Sequence, residues 1–139
     1  MQRFEDQVQL VLYPFALNDT SEVATQFALC AGEQDKFWQA HKLLYQRQTQ
    51  WYRLSNPLGR LLELAGENGL DTESLQQCVK SGKMEPLVKA DQDYGRSLQV
   101  RSTPTVFINN RRIVGAQSEA DFVRTIRQEL ARAQRAVQQ

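Results

Sequence analysis

An α/β fold, a mixed sheet interrupted by a helical insertion, is what the sequence predicts, and three observations predict it. Residues 8 to 13 alternate in the two-residue period of a strand, residues 19 to 98 run in helical period, and the period returns to two at Thr103. At 139 residues the chain has the length of one domain with a real core.

The elements follow in order. In "DQVQLVLYPF", Val8, Leu10 and Leu12 point one way and Gln9, Val11 and Tyr13 the other. Both faces are largely apolar, so the segment reads as an interior strand. Asp19, with Glu22 three residues on, reads as the cap of a first helix carrying Val23, Phe27 and Cys30 to Gly32. A second, from Glu33 to about Gln48, turns Phe37, Ala40, Leu44 and Trp38 inward. Pro57 opens a third, with Leu58, Leu61, Leu62 and Ala65 as its apolar face and Gly69 as a left-handed cap. Asp71 starts a fourth that bears Leu75, Cys78 and Val79 and stops at Gly82. Leu87, Ala90, Tyr94 and Leu98 line a fifth after Pro86.

Two short β segments follow, Thr105 to Ile108 and Arg112 to Val114, joined by Asn109 and Asn110, which tolerate the positive φ of a tight hairpin. A closing helix begins near Ser118, with Asp121 three residues on, and carries Phe122, Ile126 and Leu130. There are no repeats and no low-complexity linkers.

Composition excludes several classes of function. Seventeen basic against sixteen acidic residues leave a formal charge of +1, which is no electrostatic footprint for nucleic acid. Arg124, Arg127, Arg132 and Arg135 share the last helix with Glu119, Asp121 and Glu129, so they read as a solvated face. No apolar run is long enough to span a membrane, and "MQRFEDQVQ" has no apolar signal core. One histidine, His41, cannot make a His-rich metal site, and Glu85, Asp91 and Asp93 are spaced like an exposed helix face; no metal and no cofactor are expected. His41 has no nucleophile to serve and reads as a surface or capping residue. Trp38, Trp51 and Tyr52, at a helix-helix junction, read as core rather than as a peptide groove.

Cys30 and Cys78 are too far apart in sequence for a short-spaced zinc or redox motif. Each sits on an apolar helix face, whereas a reactive thiol needs an exposed, electropositive setting. Two inert buried thiols or one structural disulfide both fit that pattern.

The stretch "GRSLQVRSTPTVFINNRRIVGAQ" closely resembles the C-terminal half of DsbA-like thioredoxin-fold protein disulfide oxidoreductases, where a helix leads through a Thr-Pro loop into a hairpin and a closing helix. "CAGEQDKFWQAHKLLYQRQ" resembles the start of that family's inserted helical domain, and "QVQLVLYPFAL" its second strand. The resemblance implies a thioredoxin-like (DsbA-type) fold, with residues 1–18 and 99–139 as the thioredoxin-like part and 19–98 as the helical insertion. It makes Ser102, Thr103 and Pro104 the cis-proline loop that holds an extended, cysteine-containing polypeptide. Ser102 and Asn110 depart from the family, which often has glycine there.

The resemblance also implies an absence. The family's chemistry belongs to a Cys-X-X-Cys pair on a helix after the first strand, and this sequence has no such pair. Met1 to Gln7 resembles the last turn of that helix, so the chain is expected to lack the first β-α unit. It is then expected to have no catalytic residue of its own and to be inactive in disulfide exchange as it stands. The other readings are a non-catalytic peptide-binding module, or a subunit completed by self-association or a partner strand. Related helical domains favour the disulfide for Cys30 and Cys78. The family works in the periplasm or otherwise outside the cytoplasm, although this N-terminus carries no export signal.

Overall fold

The computed structural model describes Phe4 and residues 6–137. They fall into two compact units, one drawn from the described residues among 1–12 and 96–139, the other of residues 13–95. The expected helical turn at Met1 to Gln7 lies largely outside the described residues.

The unit of residues 13–95 is helical. It contains α1 (Asp19–Gly32), α2 (Phe37–Gln46), a 3₁₀ turn (Gln48–Gln50), α3 (Leu58–Glu67), α4 (Thr72–Lys80) and most of α5 (Glu85–Ser97). α1 is its centre, packed by α2, α3 and α4. Ala24, Ala28, Ala31 and Ala40 are all buried, and their small side chains let these backbones come close. Phe27, Leu61, Leu64 and Leu75 fill the space between. The cap of α1 is Asn18, one residue before the expected Asp19. The Asn18 side chain accepts from the Ser21 amide at 2.9 Å and the Asn18 amide donates to Ser21 Oγ, a reciprocal pair that Asp19 and Glu22 do not make.

The reversal from α3 to α4 is written in three consecutive residues. Gly69 takes φ +73°, and the amides of Gly69 and Leu70 close back on Gly66 and Ala65, satisfying carbonyls that the helix end leaves free. Asp71 then accepts from the amides of Glu73 and Ser74, capping α4.

α5 buries a different face from the one expected. Leu87, Ala90 and Tyr94 are exposed, while Val88 and Gly95 are buried. The inward stripe is rotated by one residue from the expected one. Trp38 likewise points outward, at 51% exposure, and Leu43 takes the inward place beside Ala40 and Leu44.

In the other unit, β1 (Thr105–Ile108) and β2 (Arg111–Val114) pair antiparallel, with Thr105 opposite Val114 and Phe107 opposite Arg112. Asn109 takes φ +53° in the two-residue turn. α6 (Glu119–Val137) lies against β1 and is capped by Ser118 Oγ, which accepts from the Asp121 amide.

The expected interior strand at Val8 to Tyr13 is corrected. Among the described residues the sheet has two strands only, and residues 8 to 17 belong to no helix or strand. Leu10, Val11, Leu12 and Tyr13 are all at least 40% exposed, and the backbone of residues 9–15 makes no hydrogen bond among the described residues. Alternation marks a segment that can be a strand, but only a neighbouring backbone makes it one.

Candidate functional site

Ser102, Thr103 and Pro104 form an exposed loop that delivers the chain into β1. Its flanks are pinned. Thr105 Oγ1 donates to the Ser102 carbonyl at 2.7 Å, and the Gly115 amide donates to the Pro104 carbonyl at 2.8 Å. Gly115 does so with φ +82°, a conformation that suits glycine, so the chain leaving β2 folds back onto the loop. The Thr103–Pro104 peptide is cis. Between these two anchors, neither backbone group of Thr103 has a hydrogen-bond partner among the described residues.

The hairpin continues the loop with one open face. Because side chains alternate across strands, Thr105, Phe107, Arg112 and Val114 share a side. Phe107 and Val114 are exposed there, at 41% and 55%. The Arg112 guanidinium stacks over the Phe107 ring at 5.1 Å and donates through Nη2 to the Leu98 carbonyl. The opposite side turns Arg111 toward α6, where its Nη1 meets Gln128 Oε1 at 2.7 Å. The Arg112 and Phe107 pairing was not singled out from sequence, although a two-residue turn at Asn109 and Asn110 fixes that register.

The cysteines lie in the helical unit, not at this loop. Cys30 of α1 and Cys78 of α4 are joined as a disulfide, with Cα atoms 5.9 Å apart. Cys30 is 2% exposed and Cys78 half-buried, so the described residues hold no free thiol.

The remaining candidates separate. Trp51 is buried, and its indole is tied to the Leu44 carbonyl, whereas Trp38 and Tyr52 are exposed. His41 is half-buried in a run of rings on α2, 5.9 Å from Phe37, 5.5 Å from Trp38 and 5.0 Å from Tyr45. Burial holds its pKa below the ordinary histidine value. Asp91 is pushed up by burial. Asp93 pairs with Lys89 at 2.8 Å. No group of metal-ligating side chains comes together, and no helix is long and apolar enough to cross a membrane, among the described residues.

From residue 85 onward the order is a helix, a Thr-Pro loop, a β-hairpin and a closing helix. The chain belongs to the thioredoxin family, whose profile, described as thioredoxin, matches residues 3–128. Two curated relatives carry the name "Putative protein-disulfide oxidoreductase". The Rickettsia typhi protein is 27% identical over 92% of this chain and 46% of its own length. The Rickettsia conorii protein is 26% identical over 75% of this chain and 38% of its own. The chain thus spans less than half the length of these relatives. No solved structure matches it significantly.

Proposed function

We propose that this chain carries the polypeptide-binding part of a DsbA-like protein-disulfide oxidoreductase, in which Ser102, Thr103 and Pro104 hold an extended, cysteine-containing segment. The carrying observation is the Thr103 backbone, exposed and without a partner between two pinned flanks. An extended peptide can pair with such a donor and acceptor as an added strand. In this reading residues 1–18 and 99–139 are the thioredoxin-like part and 19–98 the helical insertion. The chain as it stands binds without exchanging disulfides, because its sequence holds no Cys-X-X-Cys pair and its two cysteines are bonded to each other within the helical unit.

The test has two arms. A blocked peptide with serine in place of cysteine should shift the Thr103 amide resonance in the full chain, and the chain should not turn over in an insulin-reduction assay. Binding that leaves Thr103 unmoved overturns the loop assignment, and turnover overturns the inactivity.

A second reading, a subunit whose sheet is completed by another chain's strand, is favoured by the unpaired backbone of residues 9–15. A strictly monomeric protein across concentrations would count against self-association.

A further inference from the structure

The charge around the Thr-Pro loop is one-sided. Residues 95–118 contain Arg96, Arg101, Arg111 and Arg112 and not one aspartate or glutamate, in a chain whose formal total is only +1. Five cations elsewhere pair with carboxylates: Arg60 with Glu63, Lys83 with Glu33, Lys89 with Asp93, Arg124 with Asp121 and Arg132 with Glu129. Arg101, Arg111 and Arg112 have no carboxylate partner among the described residues, and Arg111 is spent on the neutral Gln128.

Two of these arginines border the loop. Arg101 is exposed two residues before Thr103. Arg112 lies on the open hairpin face beside Phe107, about 7 Å along the strand from the Thr105 and Val114 pair at a rise of about 3.4 Å per residue. The Phe107 ring and the Leu98 carbonyl hold its guanidinium in place, so less side-chain freedom is lost when it takes a ligand. Only one of its five donors is used by Leu98, and a planar fork of the remainder suits a carboxylate.

We infer that the loop selects extended peptides bearing acidic side chains within two or three residues of the segment paired to Thr103, with Arg101 and Arg112 receiving their carboxylates. This rests on the peptide-binding reading above and adds its substrate class. Phe107 and Val114 supply apolar contact on the same face, so the preferred segment mixes acidic with apolar side chains.

The test compares three blocked nonapeptides of one length, each with a central serine flanked by Asp/Glu, by Asn/Gln or by Lys/Arg. Each is titrated into the isotopically labelled full chain while the Thr103 amide is followed. The acidic peptide should bind about three- to tenfold more tightly than the neutral one and the basic one more weakly, as expected for two partly exposed ion pairs. The preference should shrink toward unity by about 0.5 M salt. In Arg101→Gln and Arg112→Gln the acidic-to-neutral ratio should fall toward one, whereas Arg112→Lys, which keeps the charge, should retain much of it. Equal affinities with a shifted Thr103 amide overturn the acidic preference and leave the loop reading standing. Peptides that bind without moving Thr103, or do not bind, overturn the loop reading and this inference with it.

Discussion

Trp51 reaches back seven residues to donate its indole Nε1–H to the Leu44 carbonyl at 2.9 Å. Leu44 lies in the last turn of α2, where carbonyls have no partner inside the helix, so the tryptophan completes the helix end from within the core. Trp51→Phe keeps an aromatic ring and deletes the donor. It should cost about 1–3 kcal/mol in chemical denaturation, the penalty of a buried acceptor left unpaired. An unchanged midpoint would mean that water takes over at Leu44.

The bridge between Cys30 and Cys78 closes a loop across a separation of 48 residues. On the chain-entropy estimate such a loop contributes about 4 kcal/mol by restricting the unfolded ensemble. The Cys30→Ala/Cys78→Ala double variant should lose stability of that order. The native protein, denatured without reductant, should show no titratable thiol, and two titrating thiols would refute the bridge.

Backbone amides of residues 9–15 should exchange with solvent at close to unstructured rates, Pro14 having none, while those in the middle of α1 are protected. The first set has no hydrogen bonds among the described residues, and the second sits in a helix whose Phe27 and Ala31 are fully buried. Hydrogen exchange read by mass spectrometry compares them directly. Strong protection at Leu10 to Leu12 would show that another backbone pairs there.

His41 predicts a mild acid sensitivity. Its pKa is lowered in the fold by burial, so the unfolded chain takes up the proton first. Its contribution is fully present above about pH 6.5 and declines as pH falls below that toward the lower folded value. Thermal melts from pH 7.5 to 5 should show this decline in the native chain and lose it in His41→Phe. Asp71 and Asp121 work in a separate window. Hydrogen bonds from Ser74 and Ser118 lower their pKa values, so their contributions persist until pH drops below about 3.8.

Local chemistry was the legible part of this fold. Gly69 and Asp71 announce the turn from α3 to α4 because a left-handed cap and a side-chain cap need only neighbouring residues. The hairpin was legible for the same reason. Long-range facts were not. The alternation from Val8 to Tyr13 is genuine, but no periodicity says which backbone lies beside it. On α5 the apolar signal of Leu87 and Tyr94 outweighed Val88 and Gly95, since a buried glycine carries no hydrophobic mark. At the loop, Ser102 to Pro104 stood out through resemblance. The pairing of Arg112 with Phe107 needed the strand register, whereas the stretch from residue 95 to 118 without aspartate or glutamate is plain in the sequence.

Closing the Cys30 and Cys78 bridge withdraws two electrons and two protons from a pair of thiols, and some oxidant must accept them. The helical unit of a thioredoxin-family chain is therefore itself a client of disulfide formation. How quickly a newly made copy matures depends on its surroundings as much as on its sequence.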